Sequence, residues 1–256
     1  MKGNTFSMSK QFSATNLSRA GILISMSLVL NLIFMVYIPV AGINSIKFTL
    51  SSAITMITGI VCGPLMGFFS GVIVDILTFI IKPGGGAYFP GFTIAAGLTG
   101  LMAGLIYKHL KNDKINYNLL NTIFISILSG GFIGAFIMKG LLTFQDKAIY
   151  YNGEPLSILY VIGFITLVIA YIIVPIVITS KLKLNIKTNK ILFMVSIIQF
   201  VTSIILNTYF LSVLYGKGYL VFLPARFLSN FFIIPIYTVV IATILETINK
   251  RFKINL

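Results

Sequence analysis

Asp75 is the only acidic residue of the 256-residue chain that falls deep inside an apolar run, in Gly71-Val-Ile-Val-Asp75. A carboxylate at membrane depth is costly. It marks either a functional site, with Arg226 the natural partner, or a structural hydrogen bond to a neighbouring helix. Asn207 and Thr208 interrupt a second apolar run, and Arg226 lies just inside the start of a third. Polar groups so placed face a bundle interior or a wet cavity. By position alone Arg226 would equally snorkel to the outer interface, as Lys139 is expected to do. The segment Lys82-Pro-Gly-Gly-Gly-Ala-Tyr-Phe-Pro-Gly-Phe-Thr93 joins two apolar runs. Consecutive glycines at 84, 85 and 86 permit backbone shapes closed to other residues, so the loop can fold over a cavity and offer amides to a ligand. On composition alone it is simply a turn.

Other chemistry lacks its residues. Cys62 is the sole cysteine and His109 the sole histidine, which leaves no disulfide and no zinc or haem ligand set. There is no G-x-x-x-x-G-K-[ST] phosphate loop and no H-E-x-x-H, and one histidine cannot complete a serine, histidine and acid set. No cofactor, no metal and no enzymatic activity are expected.

These residues must be positioned by membrane helices. The chain is 57% hydrophobic with a mean hydropathy of +1.01 and 9% charged residues, against roughly 25% charged in soluble domains. Apolar segments run over Ala20–Val40, Phe48–Cys62, Leu65–Ile81, Phe92–Tyr107, Leu119–Leu142, Leu156–Ser180, Ile191–Tyr215 and Phe222–Ile248. The second, third and fourth are short for a bilayer that takes ~20 helical residues to cross. Gly63-Pro64 makes a tight turn between the second and third. The polar start of the chain has no signal-peptide core, so the first segment reads as a retained helix.

A net charge of +14 does not imply nucleic acid, because the basic residues lie between the apolar segments and not on one aromatic-interleaved surface. With the N-terminus inside, Lys2, Lys10, Arg19, Lys108, Lys111, Lys114, Lys181, Lys183, Lys187, Lys190, Lys250, Arg251 and Lys253 are cytoplasmic, and only Lys47, Lys82, Lys147 and Lys217 are outside. That asymmetry fits eight crossings with both ends in the cytoplasm of a cell-membrane protein. The loop Gln145–Pro155, with Asp146 and Glu154, then lies outside. Glu246 and Lys250 form an ordinary surface pair four residues apart. Gly21 and Ser25, also four apart, give the first helix a small-residue face that another helix can approach closely.

Four patterns together resemble one family. They are Gly63-Pro-Leu-Met-Gly-Phe-Phe-Ser-Gly-Val-Ile-Val-Asp75, the loop Pro83-Gly-Gly-Gly-Ala-Tyr-Phe-Pro-Gly-Phe-Thr93, Leu206-Asn-Thr-Tyr-Phe-Leu-Ser-Val-Leu-Tyr-Gly-Lys217, and Leu223-Pro-Ala-Arg-Phe-Leu-Ser-Asn230. They resemble the folate-type substrate-binding S components (the FolT family) of energy-coupling factor (ECF) transporters, over roughly the first 110 and last 65 residues. The resemblance implies an all-α, polytopic six-helix vitamin-binding core. Such a subunit docks on a membrane scaffold, the T component, driven by two cytoplasmic ATPases, and Gly21 and Ser25 fall at the family's first-helix docking motif. The resemblance further implies Tyr88, Phe89 and Phe210 as walls for a flat ring and Asn207 as an amide that donates and accepts. Arg226 becomes a fork for a carboxylate or ring edge, Gly84, Gly85 and Gly86 a lid, and Asp75 and Thr93 further members of the substrate-binding set.

Two departures stand out. Where family members often carry Ser-Arg in the first helix, this chain reads Asn31-Leu32, which removes a cation and leaves room for another vitamin or a modified base. About 70 additional residues, Lys114 to Lys187, hold two apolar segments, expected to form a peripheral transmembrane hairpin between core residues 1–113 and 188–256. A scaffold-associated subunit without a pocket is the reading from another class, and a membrane enzyme a third.

Overall fold

A computed structural model describes residues 12–40, 43–84, 86–110, 115–145, 148–151, 154–155, 158–181 and 188–252. Gly85, Asp146 and the lysines at 2, 10, 111, 114, 147, 183, 187 and 253 lie outside the described residues. The chain divides into two compact units, residues 1–114 with 184–256, and residues 115–183.

In the first unit, α1 (Ala14–Phe34) starts where Ser13 Oγ accepts from the Asn16 amide and stops at Met35, which is extended. Its buried stripe is Ala20, Ser27 and Asn31, one helical face. The apolar run continues to Val40, but as a strand. β1 (Val36–Val40) pairs antiparallel with β2 (Ile43–Phe48), Tyr37 opposite Lys47, with the register shifting between Ile38 and Pro39. The expectation of a first helix reaching Val40 is therefore corrected. Hydropathy does not distinguish an extended apolar stretch from a helical one, and Pro39, which lacks an amide donor, suits a strand edge or bulge.

α2 (Ser51–Cys62) is apolar on nearly every side and buried almost throughout, as a core helix should be. Its 12 residues extend ~18 Å, short of the ~30 Å hydrocarbon layer. Gly63, at φ 107°, makes the turn into α3 (Pro64–Ile81), whose first residue is a proline that needs no amide partner. α4 (Pro90–His109) packs against α2 and α3 through glycines: a methyl on Gly59, Gly67, Gly100 or Gly104 would collide with backbone of the facing helix. This backbone contact fixes the axial register of the three helices.

The unit closes with α7 (Thr188–Tyr215) and α8 (Tyr219–Phe252). The middle of α7, Phe200–Asn207, is a π-helix, and Gly216 (φ 62°) ends the helix. The wide turns free carbonyls that side chains then occupy. Thr208 Oγ1 donates to the Ser203 carbonyl at 3.2 Å and Tyr219 Oη to that of Ile204 at 2.7 Å. α8 contains Pro224 and Pro235.

The second unit comprises α5 (Tyr117–Met138), capped by Asn116, and α6 (Ile158–Lys181). The connection expected as the loop Gln145–Pro155 holds strands: β3 (Leu142–Gln145), β4 (Ala148–Tyr151) and β5 (Glu154–Pro155) form an antiparallel sheet. Short strands rich in Tyr, Phe, Thr and Ile account for it. Among the described residues six helices are long and apolar enough to cross a bilayer: α1, α3, α4, α5, α7 and α8. The chain is a multi-pass membrane protein.

Candidate functional site

One end of the first unit contains a cavity of about 230 Å³. Its lining comes from the C-terminal ends of α1, α3 and α7, the N-terminal ends of α2, α4 and α8, the β1–β2 hairpin, Lys82, Gly84 and the stretch Gly86 to Phe89. The shortness of α2 creates the space, since its first turns supply Ser51, Ser52 and Thr55 as the floor.

A buried polar network shapes one wall. Asn31 Nδ2 donates to Thr78 Oγ1 at 2.8 Å, and Thr49 Oγ1 donates to Asn31 Oδ1 at 2.8 Å. The Thr49 carbonyl accepts from Tyr237 Oη, which joins α8 to the end of the hairpin. Ser27 reaches Ser51 one turn lower. The opposite wall carries Gln199, Thr202, Ser203 and Asn207 from α7 and Arg226 from α8. Arg226 is buried, at 7% exposure, so it does not snorkel. Its carbonyl accepts from Ser229 Oγ and from Asn230 Nδ2, and the latter also donates to Ser203 Oγ at 3.2 Å. The buried Oδ1 of Asn207 has no hydrogen-bond partner among the described residues. An acceptor in that position calls for a ligand or water donor.

Asp75 organises the side of the cavity toward the hairpin and the loop. Lys47 Nζ on β2 lies 3.7 Å from Asp75 Oδ1, and Thr93 Oγ1 donates to Asp75 Oδ2 at 2.9 Å. Because the Thr93 proton is committed, the Tyr88 hydroxyl, 2.9 Å away, donates to Thr93. Of the two readings of Asp75, the structure has the hydrogen bond to a neighbouring helix, from Thr93 on α4, and the ionic partner of the carboxylate is Lys47 of the hairpin, not Arg226. Burial pulls the Lys47 ammonium below its ordinary lysine value, against the opposing pull of Asp75. The Tyr37 phenol is raised by burial and by Asp75.

Of the residues singled out by sequence, Arg226, Asn207, Tyr88, Phe89, Gly84, Gly86 and Asp75 line this one cavity. Thr93 stands behind the lining, holding Asp75 and Tyr88. Phe210 does not line it but packs against Phe89, with ring centroids 5.6 Å apart, and against Phe92 at 6.0 Å. Gly84 and Gly86 pass so close to the Tyr37 ring and the Tyr215 hydroxyl that a side chain there would have to displace those tyrosine ends. Gly21 and Ser25 sit away from the cavity, exposed on α1, with Ser25 Oγ donating to the Gly21 carbonyl.

Sequence reasoning passed over Asn31 as a site residue, and also Lys47, Thr78, Gln199 and Tyr237. Gln199, polar within an apolar helix, carried the same signal as Asn207. The threonines carried little, because a helical threonine can satisfy its own hydroxyl four residues back, as Thr58, Thr99 and Thr202 do.

The arrangement can bind, and among the described residues no group of three or more His, Cys, Asp or Glu side chains that could hold a metal ion occurs. The family model described as "ECF transporter, substrate-specific component" matches residues 15–180. That match runs through the segment between Lys114 and Lys187 and stops before α7. A solved structure of FolT bound with folic acid superposes with a TM-score of 0.52 and 15% identity, covering 90% of this chain and 92% of the other, and so shares its helical fold. An uncharacterized MG098 homolog of Mycoplasma pneumoniae is 31% identical over 99 residues, 38% of this chain. The match spans 20% of that relative's length.

Proposed function

The chain belongs to the family of ECF transporter substrate-specific components, and on that premise we propose that it captures folate or a related pterin-containing vitamin at the outer face of the cell membrane. The observation that carries this reading is a single cavity holding Asn207, Arg226, Tyr88 and Phe89 inside a membrane bundle. A flat heteroaromatic ring with donor and acceptor edges needs aromatic walls, an amide and a cation. Tyr88 and Phe89 supply the walls, the latter backed by Phe210. The Asn207 oxygen accepts from a ring amine, and the Arg226 fork donates to ring or carboxylate oxygens. At about 230 Å³ the cavity is below the roughly 300–1,000 Å³ usual for drug-sized ligands. It therefore takes the ring and leaves a tail at the mouth. Asp75 and Thr93 hold the cover, and the segment containing Gly84 to Gly86 is the lid.

The cavity end faces outward and both termini lie inside, the orientation supported by the lysine distribution. The partners are a T component and two ATPases, which do the work this subunit has no residues for. Gly21 and Ser25 are the docking face.

Purified protein is expected to bind folic acid or a reduced folate without ATP, in calorimetry in detergent. Arg226→Ala should weaken binding about tenfold or more, and Arg226→Lys should not restore it because the fork is lost. Unchanged binding in Arg226→Ala removes Arg226 from the site. A second reading, a different vitamin or a modified base, is favoured by Leu32 standing where family members often have arginine. A vitamin panel in a thermal-shift assay separates the two.

A further inference from the structure

The charges around the cavity are unequal, and the two lysines among them come from its two outer covers. Lys47 is on β2 and Lys82 directly follows α3, at the start of the loop. Both line the cavity, as does Arg226 on the inner wall, whereas Asp75 is its one acidic lining residue. The whole chain has only five acidic residues. Three cations against one carboxylate leave a formal excess of two positive charges. Lys82 Nζ donates to the Leu32 carbonyl at 3.1 Å, which uses one of its three protons and offers a dipole, not a counter-charge. Lys47 stands 3.7 Å from Asp75, longer than the ~2.7–2.9 Å of a tight charge-assisted hydrogen bond. With three protons on its ammonium, Lys47 can serve a second anion beside Asp75. Cations concentrated at a low-dielectric mouth raise the local concentration of anions and disfavour cations.

We infer that Lys47 and Lys82 form an acid-reading site at the cavity mouth, which selects ligands whose tail carries one or two carboxylates. Arg226 and Asn207 then serve the ring edge. This rests on the reading above that the cavity takes a ring-bearing vitamin, and it names the part of the ligand that reading left open. Neutral vitamins and cationic ones with a ring of similar size are discriminated against by charge.

The test compares folic acid with its glutamate diamide, in which both tail carboxylates become carboxamides of nearly the same shape. Wild-type protein is expected to bind folic acid about tenfold or more tighter than the diamide. Lys82→Gln and Lys47→Gln should each lower folic acid affinity about fivefold, hold diamide affinity within about twofold, and thereby narrow the gap. Lys47→Arg should restore much of it, which guards against a hairpin simply disordered by loss of the Asp75 pair. If the gap persists in the double Gln variant, or both ligands weaken in parallel, the acid-reading site is overturned. Equal wild-type affinity for the two ligands overturns it as well, while leaving the ring-binding reading intact. A wild type that binds neither refutes the ring-binding reading and this inference with it.

Discussion

Asn31 on α1 and Thr78 on α3 are joined by a 2.8 Å side-chain hydrogen bond across 47 residues of sequence. The same amide accepts from Thr49 at its other end, so one buried side chain satisfies hydroxyls from two other segments. Replacing it with leucine of similar volume leaves both hydroxyls without their partner. Asn31→Leu is expected to destabilise the protein by ~1–3 kcal/mol, the usual penalty for buried polar groups left unsatisfied. Thermal unfolding in detergent measures it, with the exposed Ser25→Ala as the neutral reference. A melting temperature equal to that of the reference would show that the network contributes nothing.

The glycine contacts predict a sharp contrast between two substitutions that look alike. A methyl at Gly100 meets the Gly67 carbonyl, and neither backbone can yield without parting α3 from α4. A methyl at Gly130, in α5, meets nothing within 4 Å. Gly100→Ala should therefore cost ~3 kcal/mol or more and lower the yield of folded protein, as severe overpacking does. Gly130→Ala should be neutral or stabilising by up to ~1 kcal/mol, from helix propensity. Similar melting curves for the two variants would contradict the packing described.

These cases show why some of the architecture could be read from the residues and some could not. The Gly63-Pro64 turn was legible because both residues restrict the backbone locally, and the structure has Gly63 at φ 107° and Pro64 opening α3. Arg226 and Asn207 were legible because polar groups are rare at membrane depth. The β1–β2 hairpin was not, since its first strand continues the hydropathy of α1 without a break. In sequence Lys47 is only a topological charge, because its strand and the helix that carries its partner Asp75 share no local pattern. From sequence Phe210 is expected as a wall, whereas in the structure it backs one, a distinction set by the direction of a side chain. The Asn31–Thr78 bond was invisible for the same reason as the Lys47–Asp75 pair: each residue alone is ordinary.

Asp75 is where the hairpin and the loop both attach, the hairpin through Lys47 and the loop through Thr93 and Tyr88. Asp75→Asn keeps the shape and can still accept from Thr93, but it removes the charge that holds Lys47. Amide hydrogen exchange is then expected to rise first in residues 43–48, less in 86–89, and not at all in the buried helix 51–62. Asp75→Ala, which removes both attachments, should raise exchange in both covers. Protection that stays unchanged in 43–48 for either variant would mean that the hairpin is held by Tyr237 and Thr49 alone.

Gly21 separates the folding of this chain from its assembly. The buried stripe of α1 is Ala20, Ser27 and Asn31, whereas Gly21 and Ser25 face away from it and are exposed. A side chain added at Gly21 meets nothing within 4 Å, and leucine has the better helix propensity. Gly21→Leu should therefore leave the melting temperature of the isolated subunit unchanged or slightly higher. If this face is the close-approach surface for a T-component helix, the same leucine holds the two backbones apart and removes the contacts that drive association in lipid. Co-purification with a tagged T component and its two ATPases should then fall several-fold, while folic acid binding by the isolated subunit is unaffected. A complex recovered in normal yield from Gly21→Leu would place the docking surface on another face of the bundle.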